Sequence, residues 1–192
     1  MSVSLSPDAP GVRMPAATPD QTLTAPSDGA FLDAMSALAG GVCVVTTTAA
    51  DGRPAGFTST AVMSLSREPQ LLAIGVDRHS RTLPFLLGAG RFALNVLHAD
   101  GEDISRRFAA RGADRFEELT WEQDDGLPLL SAHSSHMVVC RVEQDLPAGD
   151  HRLVIGVVEK VLPGAGGEAG SLVYLGRGYH PLRRTAGFGG GS

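Results

Sequence analysis

Apolar residues along this chain come in short runs broken by turn residues, the rhythm of strands rather than of long helices. The first periodic segment, SDGAFLDAMSALAGG, predicts a helix. Ser27 or Asp28 can cap it, Phe31, Met35 and Leu38 share one face, and Gly40-Gly41 stops it. VCVVTTT then predicts a strand, and Ala50-Asp51-Gly52 a hairpin turn leading back through RPAGFTSTAVMSL. QLLAIGV is a nearly continuous apolar strand. DRHSRTLPFLLGAG predicts a short capped helix after it, with Pro84 tolerated in the first turn. RFALNVL predicts a strand and EDISRRFAA a short helix. A polar connector through DRFEELTWEQDDGLPLL leads to three further strands, HMVVCRVEQDL, HRLVIGVVEKVL and SLVYLGRGYHPL. Consecutive strands with short turns and brief helices point to a mainly β architecture, an antiparallel barrel rather than a βαβ array.

Outside that pattern, residues 1–27 are rich in Pro, Ser, Thr and Ala without an apolar period, and TAGFGGGS closes the chain. The expected organisation is a flexible N-terminal tail over 1–27, one domain over 28–183 and a flexible C-terminal tail over 184–192. A length of 192 residues with 43% hydrophobic content suits one domain with a real core. The apolar runs are far shorter than the ~20 residues of a membrane helix, and no secretory leader pattern opens the chain. A net charge of −5 with both signs scattered gives no nucleic-acid footprint. Cys43 and Cys140 sit in apolar, β-branched surroundings and read as buried free thiols, which fits a cytoplasmic, reduced protein.

Candidate chemistry narrows next. GAGGEAG, Gly164 to Gly170, has dinucleotide-fingerprint spacing, but that fingerprint requires a helix to follow, and SLVYLG is strand-like. A hairpin loop is the expectation. His133 and His136 form an H-x-x-H with no cysteine at ligand spacing, so no metal is expected. VDRHSRTLPFLL places Arg78 and Arg81 beside Ser80 and Thr82 at a helix start. This suits either a phosphate cradle or a plain capped surface helix. GFTSTAVMSL is hydroxyl-rich and apolar together. Taken as one strand it puts Thr58, Thr60, Val62 and Ser64 on one face and Ser59, Ala61, Met63 and Leu65 on the other. Small residues there would let a flat ligand approach the backbone.

Together, ALAGGVCVVTTTAADGRPAGFTSTAVMSLSREP, VDRHSRTLPFLLGAGRFALNVL, ISRRFA, DRFEELTW, PAGDHRLVIGVV and LGRGYHPL resemble the flavin reductase family. These are the small reductase components of two-component flavin-dependent monooxygenases, with the FMN-binding split-barrel fold. The resemblance runs from Phe31 to Leu182. It implies an antiparallel split β-barrel, NAD(P)H-dependent hydride transfer to FAD or FMN with NADH ahead of NADPH, and release of reduced flavin to a partner monooxygenase. A homodimer comes with it, while a biosynthetic role is expected from composition, rich in Ala, Gly and Arg with Lys160 the one lysine. Carried over residue by residue, it places Thr58, Ser59, Thr60, Ala61 and Ser64 along the flavin ring, and Arg78, Ser80, Arg81 and Thr82 near the phosphate. Asn95 and Phe108 become further flavin contacts, although Phe108 could equally be core. His151, in GDH, would orient the nicotinamide without acting as an essential acid, and Arg177 and Tyr179 would lie where the last strand approaches the flavin. Thr60-Ala61 departs from the two serines frequent in the family, so Ala61 is expected to contribute only backbone. The alternatives are a non-catalytic flavin carrier or sensor of the same fold, an oxidase of the pyridoxamine-phosphate type, and a plain β-barrel interaction protein.

Overall fold

The computed structural model describes residues 26–112 and 114–183, so both expected tails lie almost wholly outside the described residues. Helix α1 (Asp28–Ser36) is followed by β1 (Gly40–Gly41), β2 (Cys43–Thr48), β3 (Pro54–Ser59), β4 (Val62–Arg67) and β5 (Gln70–Asp77). Helix α2 (Leu83–Ala89), β6 (Arg91–Leu97) and helix α3 (Glu102–Ala109) come next. A small hairpin, β7 (Glu122–Asp124) and β8 (Leu127–Leu129), precedes β9 (Ser134–Ala148), β10 (His151–Pro163), β11 (Ser171–Leu175) and β12 (Gly178–Leu182).

Seven strands form one antiparallel sheet in the order β3-β2-β6-β9-β10-β5-β4. β3 and β4 are therefore opposite edges, yet only Thr60 and Ala61 separate them in the chain. The sheet must curl until those edges meet, and the Gly75 amide donates to the Ala61 carbonyl at 2.8 Å where they do. Beyond that junction β3 stays with β2 and β4 with β5, which leaves the barrel split. RPAGFTSTAVMSL is thus two strands rather than one. The alternation expected from Thr58 through Ser64 breaks at Thr60–Ala61, because the backbone there passes from one sheet edge to the other.

β2, CVVTTT, shows no apolar–polar alternation because both of its faces are buried. Cys43 and Val45 join Ile74, Val76, Leu86, Phe92 and Val154 in the first core cluster. Val42 and Val44 meet Leu97, Ile104, Phe108, Phe116 and Leu172 in the second. Its threonines satisfy their hydroxyls on main chain: Thr46 donates to the Pro128 carbonyl at 2.5 Å and Thr47 to that of Arg91 at 2.9 Å. Gly156 in β10 allows close approach, since a Cβ there would lie 2.8 Å from the ring of Phe92. Burial pushes both thiols up to about 12, Cys43 by desolvation alone and Cys140 with a smaller contribution from Glu159, and both are free as expected.

Several sequence expectations change. Ser27 does cap α1, but the helix ends at Ser36, and Gly40-Gly41 forms a short strand pairing with β11. Phe31, Leu32, Met35 and Leu38 of that segment face outward rather than into this chain's core. The connector after α3 contains β7 and β8, whose Leu127 and Leu129 are buried against Met137 and Val139. SLVYLGRGYHPL is a hairpin, turned by Gly176 and Arg177 at φ 58° and 63°. GAGGEAG is a loop with no helix after it, but not a hairpin loop. It carries the chain from β10 to a separate sheet of order β1-β11-β12.

Candidate functional site

A cavity of about 890 Å³ opens where the two sheet edges meet. One wall is the hydroxyl-rich stretch Phe57–Ala61, and the floor includes Gly75 of β5. A Cβ at Gly75 would sit 3.0 Å from the Ala61 Cβ, so this floor stays bare and flat. The lining also carries cations, Arg81 after β5 and Arg111 and Arg115 after α3. Arg115 crosses to the other wall, donating through Nη1 to the Gly56 carbonyl and through Nη2 to that of Ala110 at 2.8 Å. Burial lowers its affinity for a proton, and the neighbouring charge of Arg81 lowers it further. Two guanidinium groups held near each other in a partly desolvated place favour an anion between them.

Many of the hydroxyls in the opening wall are already engaged. Thr58 donates to the Ser105 carbonyl at 2.6 Å, which ties β3 to α3. Ser59 accepts from the Ala61 amide at 3.1 Å, so the expected backbone contact through Ala61 is spent on the β3–β4 crossover. Thr60 is exposed on the cavity wall. Ser80 and Arg81 line the cavity with His79, whose amide donates to Asp77 Oδ1 at 2.7 Å.

His151 stands on the rim at the start of β10. Its Nδ1 lies 2.7 Å from Asp150 Oδ1, and that contact holds the Asp150 carboxyl below the usual carboxylate range. A carboxylate on one ring nitrogen fixes the ring's orientation and directs the other nitrogen elsewhere.

The structure therefore gathers Thr58, Ser59, Thr60, Ala61, Ser80, Arg81, Phe108 and His151 around one cavity. Phe108 is fully buried and packs edge-on against Phe116 at 5.1 Å, so it is core beneath the cavity. Six expected residues lie off it. Ser64 is exposed on β4, beyond the crossover. Arg78 turns its guanidinium to His79 Nε2 at 3.1 Å. Thr82 is buried at the start of α2, where it makes no side-chain cap and instead lies 3.4 Å from the Gly56 carbonyl. Asn95 is wholly buried, donating to the Val44 carbonyl and accepting from the Leu130 amide, so its polar atoms hold strands together. Arg177 pairs with Asp33 of α1 at 2.7 Å. Tyr179 meets the Ser105 hydroxyl at 2.9 Å, behind α3.

Sequence reasoning missed Gly75, His79, Arg111 and Arg115. Arg115 lies in DRFEELTW, a stretch that carried the resemblance, but nothing in its spacing pointed back to β3. Among the described residues no cluster of His, Cys, Asp or Glu could hold a metal ion. No helix among them is long and apolar enough to cross a membrane.

Comparison with known proteins gives the family and the fold. The family described as Flavin reductase like domain matches residues 35–183. The flavin reductase (NADH) of Kitasatospora aureofaciens is 48% identical over 130 residues, 67% of this chain and 68% of that protein. The reductase component of 4-hydroxyphenylacetate 3-monooxygenase from Thermus thermophilus is 37% identical over 153 residues, 80% of this chain and 95% of that protein. Among solved structures, flavin reductase PheA2 in its native state superimposes with a TM-score of 0.73 at 28% identity, covering 82% of this chain and 99% of that one. Some relatives extend well past the matched region, and the match spans 42% of one from Rhizobium meliloti.

Proposed function

Because this chain belongs to the flavin reductase like domain family, we propose that it transfers a hydride from NADH or NADPH to FAD or FMN in the cavity described above. Reduced flavin then diffuses to a partner monooxygenase. The observation that carries this reading is that one cavity holds both a flat floor at Gly75 and Ala61 and the guanidinium groups of Arg81 and Arg115. A planar ring fits the first and a phosphate the second.

The flavin, when bound, supplies the hydride acceptor. Thr60 and the neighbouring main chain face the polar edge of the ring and favour negative charge there. Arg81 and Arg115, with Ser80, hold the phosphate. His151, braced by Asp150, orients the nicotinamide over the ring, and the protein's contribution is positioning rather than acid–base chemistry. The working unit is a homodimer located in the cytoplasm. Support for pairing comes from Phe31, Leu32, Met35 and Leu38, which are 47–70% exposed along and just after α1 in a single chain.

The test is NADH consumption by the purified protein, with and without added FAD, FMN and riboflavin, and again with NADPH. Turnover that requires added flavin supports the reading. Flavin binding without turnover supports the carrier or sensor alternative instead.

A further inference from the structure

Arg107 of α3 does not line the cavity, yet it grips the segment that brings Arg115 there. Its Nε donates to the Arg115 carbonyl at 2.8 Å and its Nη2 to the Glu117 carbonyl, one fork on the two carbonyls that flank Phe116. Among the described residues this guanidinium pairs with no carboxylate, so its hydrogen bonding is directed at main chain. We infer, resting on the phosphate role proposed above for Arg115, that Arg107 is a positioning residue that holds the Arg115 guanidinium ready for the flavin phosphate.

Arg115 is both tethered and incompletely used. A guanidinium carries five N–H donors. Nη1 of Arg115 donates to the Gly56 carbonyl, and Nη2 and Nε donate to that of Ala110 at 2.8 Å and 3.3 Å. One N–H on each Nη is left over, and two such donors match two oxygens of one phosphate. Two pressures act against this placement. The group is partly buried, and the charge of Arg81 repels it. A long cationic side chain under those pressures turns its head to water unless the backbone beneath it is fixed.

The fixing comes from both sides of Phe116. Its ring packs edge-on against Phe108 at 5.1 Å and Trp121 at 5.8 Å. Its amide donates to Asp114 Oδ1 at 2.9 Å, and its carbonyl accepts from the Leu119 amide at 3.1 Å. Those contacts anchor the middle of the segment, and Arg107 takes the carbonyl on each side of it. Helix α3 is itself tied to β3, through Thr58 on the Ser105 carbonyl. Support therefore runs in a closed circuit from β3 through α3 and Arg107 to Arg115, and back to β3 at Gly56. A lysine at 107 keeps the charge but is a point donor without the planar fork.

Riboflavin has the ring of FMN without its phosphate, so the ratio of their affinities isolates the phosphate contact. Both are titrated by flavin fluorescence against the full chain and its variants. Arg115→Met is expected to lower the preference for FMN over riboflavin about tenfold, as loss of a charged hydrogen-bond pair would. Arg107→Met and Arg107→Lys are each expected to lower it about fivefold, with riboflavin affinity moved less than about twofold. Adding Arg107→Met to Arg115→Met is expected to change the ratio by less than about twofold, because nothing is left to position. Equal weakening of FMN and riboflavin by the Arg107 variants would mean a merely structural role and overturns the inference. So does a full ratio in Arg107→Lys, which would assign the effect to charge alone. If Arg107→Met does not fold, Arg107→Lys carries the comparison by itself. An unchanged ratio in Arg115→Met removes the phosphate role of Arg115 and this inference with it, while flavin-dependent NADH consumption would still support the reductase reading.

Discussion

His151 is the residue whose role separates a reductase from a flavin carrier. It stands on the cavity rim, its orientation set by Asp150 at 2.7 Å rather than by packing. His151→Ala removes a group that meets only the nicotinamide in this account. KM for NADH is expected to rise about tenfold, with flavin affinity changed less than about twofold, as loss of one oriented contact would give. Steady-state kinetics beside a flavin titration reads both, and equal loss of the two contradicts the assignment. At the same scale, Asn95 takes a structural place. The family resemblance implies a flavin contact for Asn95, but it is wholly buried, its amide donating to the Val44 carbonyl and the Thr46 hydroxyl and accepting from the Leu130 amide. That burial could not be read from NVL alone, because the groups it satisfies are far away in sequence.

At the level of elements, β3 carries the site because it is an edge strand. Its outer carbonyls are open to Arg115 and Thr82, both reaching Gly56. Gly56 itself admits no side chain, since a Cβ would lie 2.8 Å from the Val45 carbonyl oxygen and 2.9 Å from the Phe108 ring. Gly56→Ala is expected to destabilise the fold by about 1–3 kcal/mol, the usual cost of overpacking, as measured by denaturant unfolding. An unchanged midpoint would show that β3 and α3 are less tightly joined than described. Strands β5 and β6 were legible in the sequence as largely apolar runs, and β2 as a β-branched one. The break between β3 and β4 was not, because hydroxyl and apolar residues run through Thr60 and Ala61 with no Gly, Pro or charged residue to mark a break. Its cause is the curl of the whole sheet. Nor was the Gly176–Arg177 turn, where an arginine occupies a left-handed position usually given to Gly or Asn.

Across the whole molecule, two buried thiols report on the integrity of the core. Both have a folded-state value of about 12 against an ordinary 9.0. Below pH 9 folded and unfolded chains both keep these protons. Between about 9 and about 12 the unfolded chain loses protons that the folded chain retains, so stability falls as pH rises through that window. At pH 8 neither thiol is expected to react with a thiol reagent until denaturant is added, because the nucleophilic thiolate is suppressed. Rapid labelling of the native protein would contradict the packing around β2 and β9. The exposed apolar residues on α1 lead to a second expectation at this scale. Light scattering is expected to give the mass of two chains, and a monomer with full activity would remove the case for a homodimer as the working unit. Of the candidate site, the parts close in sequence, Thr58–Ala61 and Ser80–Arg81, were legible with His151 through the family resemblance. The Arg115 end was not, because it depends on the loop after α3 folding back over β3.

The central claim is that this cavity passes hydride to a flavin that comes and goes as a substrate. The most direct measurement is made without oxygen, mixing a catalytic amount of protein with NADH and a large excess of free flavin and following the flavin absorbance. The account predicts bleaching of the whole flavin pool, many equivalents per chain, at a rate proportional to protein. Bleaching that stops at one equivalent, or none above the protein-free rate, would contradict it.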